Sequence, residues 1–358
     1  MMKDRYALLF GGTTYSNGNS TIQGDKDVYF WEQILQEHHA YSCENIYSII
    51  GEDFTTENVV LAILNLAAKA NECEQVTILF STHGLFDKEA FGSQNILATY
   101  DDLISDRIIL FLLKIFKPYV SITLIVDACE SGTFLDTTTP DLTIDEIDLI
   151  KNCLKKVDVA TKSKIEELIN KSGEIPLAAE VYYITSADDY TNAIDSVFIK
   201  CCEIFYAKKS AGEIKKYKYN NFIPALKGLY KDQFFPVYYM NKCNKVDKFL
   251  YKYDNIASLV YVQTGLQVNS GIPLFKVLSG DMKKINFKTN VFIDSIEHAN
   301  SLRKFDSIPE EDRLEFLGLI DDLKNLVKFN SYNFPRGSQY GHKSNLFDLR
   351  NIFEPLTN

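Results

Sequence analysis

Thr77-Ile78-Leu79-Phe80-Ser81-Thr82-His83-Gly84 and Leu124-Ile125-Val126-Asp127-Ala128-Cys129-Glu130-Ser131-Gly132 are the stretches on which the fold turns. Each is a short apolar run, rich in β-branched residues, that ends in small and polar ones. That is the pattern of a strand buried on both faces and leaving into a loop. Between them Ile104 to Phe116 reads as a strongly apolar helix closed by Pro118. Strand, helix, strand makes a parallel crossover unit, so both loops leave from the carboxyl edge of one sheet, where ligands and chemistry collect in open α/β folds.

The same alternation continues outward. Upstream, Arg5 to Phe10 is a first strand ending at Gly11-Gly12, Asp27 to Glu37 an amphipathic helix, and Asn45 to Ile50 a second strand. Thr56 is the expected N-cap of a helix to about Ala70, with Val59, Val60, Ile63, Leu64 and Leu66 on its apolar face. Val76 to Ser81 and Ser121 to Val126 are then the third and fourth strands. Residues 136–178 form a polar, lysine-containing insertion with helical periods at Ile144 to Val157 and Lys162 to Ile169. Val181 to Ser186 resumes the sheet, Ala207 to Asn221 is a basic loop, and Leu259 to Gln263 is the expected last strand. Beyond about Val277 strand signals fade, and Ser307 with Glu310 makes a capping box for a helix carrying Leu314, Leu317, Ile320, Leu323 and Val327. The expectation is one α/β domain over 1–278, a mainly parallel sheet flanked by helices, with a helical C-terminal extension over 279–358.

Composition narrows the function classes. The chain is 46% hydrophobic, with 24 Phe and 21 Tyr, which is globular rather than disordered. A net charge of −10 disfavours a nucleic-acid partner, despite the local cluster Lys208-Lys209 and Lys215 to Lys218. Met1 to Tyr6 has no basic region followed by a long apolar stretch, and no run approaches 18 apolar residues, so a cytoplasmic protein without a membrane partner is expected. Seven scattered cysteines without a C-x-x-C pair suit free thiols in a reducing compartment. Gly11-Gly12-Thr13-Thr14 lacks the spacing of a phosphate-binding loop, and His38, His39, His298 and His342 have no companions at metal spacing.

Chemistry concentrates at the two strand ends. A thiol is mostly protonated at neutral pH, and an imidazole beside it lowers its pKa or takes its proton. His83 and Cys129, 46 residues apart, are therefore the candidate dyad. A reacting carbonyl must come within about 3 Å of donor N–H groups for its oxyanion to be held. A glycine after the histidine permits that approach, which assigns the oxyanion hole to the backbone amides of Gly84 and Cys129.

Residues 77–84 resemble the strand carrying the catalytic histidine in caspases and metacaspases, and residues 124–132 their nucleophile strand. Tyr6 to Gly11 is similar to the family's first strand, Gly24-Asp25-Lys26-Asp27 to its loop entering the first helix, and Ile184 to Asp189 to the strand after the cleavable linker. The resemblance covers about residues 5 to 205, more weakly to 275. Asp127 and Ser131-Gly132 lean toward the metacaspase and bacterial caspase-like branch; Thr82 departs from the Gly usual there. It implies a cysteine endopeptidase working through an acyl-enzyme on Cys129.

In metacaspases the pocket for the residue before the cut bond is acidic, and its matching positions here are Asp27 or Asp25, Ser81 and Asp127. Two carboxylates select a cation, so cleavage after Arg or Lys is expected. No cofactor is required; calcium, which many metacaspases need, would have Asp87, Asp101, Asp102, Asp106 and Asp136 in suitable segments, without a fixed-spacing loop. The insertion, with Lys151, Lys155, Lys156, Lys162, Lys164 and Lys171, lies where family members are often cut during activation. Expected partners are a protein or peptide substrate and an activating protein. The alternatives are a catalytically silent caspase-like binding protein and a cysteine hydrolase of a small amide.

Overall fold

The computed structural model describes residues 4–18, 21–70, 74–87, 94–118, 120–129, 131, 142–157, 159–170, 177–187, 197–213, 219–229, 245–246, 248–250, 252–253, 282–301, 304–331 and 336–340. The strands are β1 (Arg5–Gly11), β2 (Ile46–Ile50), β3 (Gln75–Ser81), β4 (Gly84–Asp87), β5 (Gln94–Ala98), β6 (Leu103–Ser105), β7 (Ser121–Asp127), β8 (Glu180–Thr185) and β9 (Arg336–Tyr340). The helices considered below are α1 (Gly24–His39), α2 (Thr56–Lys69), α3 (Asp106–Lys114), α4 (Ile144–Leu154), α5 (Val159–Asn170), α6 (Val197–Ser210) and α7 (Tyr219–Leu229).

Six strands make one sheet in the order β2-β1-β3-β7-β8-β9; the first five are parallel and β9 runs antiparallel to β8. β4, β5 and β6 form a small antiparallel sheet. The fold is thus the α/β class expected, a mainly parallel sheet flanked by helices. β1, β3, β7 and β8 are buried nearly throughout, as strands covered on both faces must be. Alternate residues such as Leu8, Phe10, Ile78, Phe80, Leu124 and Val126 join one apolar cluster with α2, α3, α4 and α5. The intervening residues face the other way, and α1 packs against β1 and β3 there, next to α6.

Several boundaries differ from the expectation, each for a local reason. The N-cap of α2 is Thr55, whose side chain accepts from the Asn58 N–H at 3.2 Å; Thr56 is the first helical residue, its own N–H donating to Asp101 at 2.9 Å. Ile104 and Ser105 belong to β6, and α3 starts only at Asp106, capped by the Ser105 hydroxyl. Of the stretch from Ala207 to Asn221 expected as a loop, residues 207–210 end α6 and 219–221 begin α7, while 214–218 lie outside the described residues. Ser307 closes a 3-10 turn, Lys304–Ser307, and the following helix, Glu310–Ser331, begins three residues later. Strands also continue past Val277: β9 adds the sixth. The expected strand Leu259 to Gln263 and the boundary at residue 278 lie outside the described residues.

Helix α4 sits firmly in this framework. Thr143 and Glu146 form a capping box, Glu146 pairs with the nearly buried Arg107 at 3.3 Å, and Ile150, Cys153 and Leu154 enter the core.

The chain divides into two compact units, Met1–Lys227 with Phe334–Asn358, and Gly228–Asn333. The second contains the helix Met282–Ser301 and the helix Glu310–Ser331, whose Phe316 stacks on Phe249 with centroids 3.9 Å apart. Among the described residues no helix is long and apolar enough to cross a membrane.

His39, at the end of α1, is 3% exposed and shares a 2.9 Å hydrogen bond with the Tyr206 hydroxyl on α6. Burial, with Lys209, His38 and Arg5 adding positive charge, holds its imidazole well below the usual histidine range. The folded chain therefore keeps His39 neutral while the unfolded chain protonates it below about pH 6.5. The contribution is complete above that value and is lost as pH falls, up to about 2 kcal/mol by pH 5. Thermal melting across pH 5–8 should show the wild type losing stability on acidification more steeply than His39→Gln. Equal slopes would refute the assignment.

Candidate active site

β3 and β7 are neighbours in register, with Ser81 opposite Asp127. Adjacent strands lie about 4.8 Å apart, and His83 and Cys129 each stand two residues beyond that paired position. The Thr82 N–H donates to the Asp127 carbonyl at 3.2 Å, so the ladder continues one step past the strand ends. A Cβ at Gly84 would overlap the Cys129 carbonyl oxygen and lie 3.0 Å from Ala128 Cβ. The two exit loops are therefore in backbone contact, and only a glycine permits it. His83 and Cys129 are both partly exposed.

The direction of the Gly84 amide follows from strand pairing. The Ala98 N–H donates to the His83 carbonyl at 2.9 Å, which makes Gly84 and Leu97 a non-hydrogen-bonded pair of the β4–β5 ladder. In such a pair the amide points away from the partner strand. The Gly84 N–H is turned from β5, on the residue that touches Cys129.

The nucleophile loop is tied to β8. Ser131, 1% exposed, donates its hydroxyl to the Ala128 carbonyl at 2.8 Å and also meets the Thr185 hydroxyl, while the Tyr183 hydroxyl donates to the Ser131 carbonyl. On the other side, Tyr15 follows β1, and its ring lies 5.1 Å from the His83 imidazole. Sequence reasoning missed Tyr15; no motif marks it, and only three-dimensional proximity shows it. Glu130 and Gly132 are outside the described residues.

Asp27, 7% exposed in the first turn of α1, accepts a hydrogen bond from the Ser81 hydroxyl at 2.6 Å. Of the two acids in that turn it is Asp27 that is joined to the strand end; Asp25 is half-buried. The helix start is held there by Gly24 N–H to the Gly12 carbonyl at 3.1 Å, and Gly12 N–H to the Ser81 carbonyl at 2.9 Å. Burial pushes the thiol of Cys202, on α6, well above its usual value, and the charges of Asp127 and Asp27 add to the effect. With Ser81 opposite Asp127 in the β3–β7 register and bonded to Asp27, the three residues lie at the carboxyl edge of the sheet.

The aspartates considered for calcium are dispersed in role. Asp101 accepts from Thr56 and from the Thr99 hydroxyl, pinning the start of α2. Asp106 is 2% exposed, accepts the Asn95 N–H at 3.0 Å, and burial pushes its carboxyl up to about 7. Asp136 and the Asp87 side chain are outside the described residues. Among the described residues no three His, Cys, Asp or Glu side chains are grouped to hold a metal ion. A cavity of about 600 Å³ opens between β2 and α2, lined by Leu8, Ile46, Ile49, Ala62, Leu66 and Lys69 among others; neither His83 nor Cys129 lines it.

No protein-family model matches the chain, and no curated protein matches it in sequence. Among solved structures, a structural-genomics protein from Geobacter sulfurreducens superposes with a TM-score of 0.45 at 15% identity, covering 63% of this chain and 88% of that one. The structure of pro-sf-caspase-1 gives a TM-score of 0.35 at 13% identity, covering 63% of this chain and 76% of the other.

Proposed function

We propose that the chain is a cysteine endopeptidase of caspase-like type that cuts after Arg or Lys. The observation that carries the reading is the backbone contact of Gly84 with Cys129, on the exits of in-register strands that lead to His83 and Cys129. In this scheme the His83 imidazole accepts the Cys129 thiol proton, and the sulfur attacks the scissile carbonyl carbon. The Gly84 and Cys129 amides hold the oxyanion, the C–N bond breaks, and His83 gives the proton to the leaving amine. Water, activated by the same imidazole, then hydrolyses the thioester and restores the thiol.

Specificity follows from charge. Asp27 and Asp127, with Ser81 between them, favour a guanidinium or ammonium group and penalise an acidic one. Calcium remains a candidate activator, and the segment 136–178 a candidate site of self-cleavage. A residue inside α4 or α5 must first leave its helix to be cut.

The test is hydrolysis of fluorogenic peptides ending in Arg, Lys or Asp by the purified chain, with and without calcium, together with mapping of the residue that a peptidyl thiol-directed inhibitor labels. Release after Arg or Lys with label on Cys129 is expected. Release after Asp alone would remove the acidic pocket from the scheme, and label on another cysteine would remove the dyad.

A further inference from the structure

Tyr15 sits where the loop leaving β1 meets the candidate base. It is 6% exposed, and a Cβ at Gly12 would overlap its hydroxyl, so the glycine makes room for the phenol. The His83 backbone N–H donates to the Tyr15 hydroxyl at 3.3 Å. The Tyr15 and Thr82 hydroxyls are 2.9 Å apart, and Thr82 donates its single hydroxyl proton to the Ala98 carbonyl at 2.6 Å. Tyr15 must then be the donor to Thr82. Because the Ala98 N–H returns to the His83 carbonyl at 2.9 Å, the links close into a ring: His83, Tyr15, Thr82, Ala98 and back to His83. Both backbone polar groups of the histidine are engaged, and the phenol ring faces its imidazole at 5.1 Å with a 40° tilt. Burial raises the Tyr15 phenol, outweighing the hydrogen bonds to Thr82 and from His83 that lower it, so it keeps the proton it donates.

We propose that Tyr15 is a positioning residue for His83, holding the base toward Cys129 through this ring, with Thr82 as its required acceptor. The inference rests on the reading of His83 as the base. It gives Thr82 a purpose as well: glycine there would leave the Tyr15 hydroxyl without its acceptor. Fixing an imidazole within a fraction of an ångström matters because a displacement of about 1 Å can cost a factor of about 100 in rate.

The experiment is the rate of Cys129 alkylation by iodoacetamide between pH 5 and 10 on the full chain, read by peptide mapping, alongside thermal melting. In the wild type the profile should have a limb that His83→Ala removes. Tyr15→Phe is expected to move that limb toward the ordinary thiol range near 8.5 and slow alkylation at pH 7 about tenfold, with the chain still folded. Thr82→Val should act in the same direction and Thr82→Ser should restore the wild-type profile. A merely structural tyrosine would lower the melting temperature and leave the profile in place. An unshifted Tyr15→Phe profile beside a His83-dependent wild type overturns the inference alone; a wild-type profile that His83→Ala does not change overturns the proposed dyad. Should Tyr15→Phe not fold, the Thr82 pair decides: no shift with valine, or no recovery with serine, overturns the inference.

Discussion

Cys129→Ala is expected to abolish peptide hydrolysis, and Gly84→Ala, which leaves the thiol in place, to lower kcat at least about 100-fold. The second substitution is the more informative. A methyl at position 84 would overlap the Cys129 carbonyl oxygen and press on Ala128 Cβ at 3.0 Å. Neither obstacle is the end of a flexible side chain, so a backbone must move. Overpacking of this kind costs about 1–3 kcal/mol of stability, which the fold can absorb, whereas an oxyanion donor tolerates almost no displacement. Removing one such donor in a well-formed site costs a factor of about 100–1,000. Steady-state kinetics on the best Arg or Lys peptide, with circular dichroism as the control for folding, measures both. A folded Gly84→Ala chain with undiminished kcat would take Gly84 out of the oxyanion hole.

The strand ends were legible because buried parallel strands write themselves as apolar runs and their exits as small polar residues. β1, β3, β7 and β8 all begin and end within a residue or so of expectation. β9 was not legible: Arg-Gly-Ser-Gln-Tyr has no apolar run, and a strand added at the rim of a sheet can be held by its backbone ladder without one. Ile104 fits an apolar helix face as well as a strand, which is why the start of α3 differs from expectation; pairing of β6 with β5, a few residues back in the chain, decides it. Thr55 and Thr56 are both good caps, and a carboxylate from Asp101, 45 positions on, settles which one enters the helix. The insertion looked polar because its surface is; the three residues that anchor α4, Ile150, Cys153 and Leu154, are too few to stand out.

The site divides the same way. His83, Cys129 and Gly84 lie on two strand exits and are read from their residue types and spacing, whereas Ser81 and Asp127 on the same exits come from the resemblance to metacaspases. Asp27 and Asp25 were indistinguishable in the sequence, because one residue of loop length exchanges them; a hydrogen bond to Ser81 separates them. Tyr15, Tyr183 and Thr185 support the two exits from other strands or loops, and support of that kind leaves no local pattern.

Removing the two charges of the proposed pocket is expected to have the other large effect. In Asp27→Asn with Asp127→Asn, kcat/KM for an Arg peptide should fall about 100- to 1,000-fold, while an uncharged residue at the same position gains relative to it. The change is conservative in shape: an asparagine at 27 can still accept from the Ser81 hydroxyl through its amide oxygen, so the link between α1 and β3 persists and the charge alone is lost. The thiol of Cys202 cannot compensate, since burial, the largest cause of its raised pKa, persists in the variant and keeps it neutral. The loss of two like charges at one sheet edge should leave melting unchanged or raise it slightly, opposite in sign to the loss of Arg hydrolysis. Kinetics on matched Arg, Lys and Gln peptides together with a melting curve give both signs in one preparation. Equal losses on all three peptides would mean that the aspartates hold up the site rather than select its substrate.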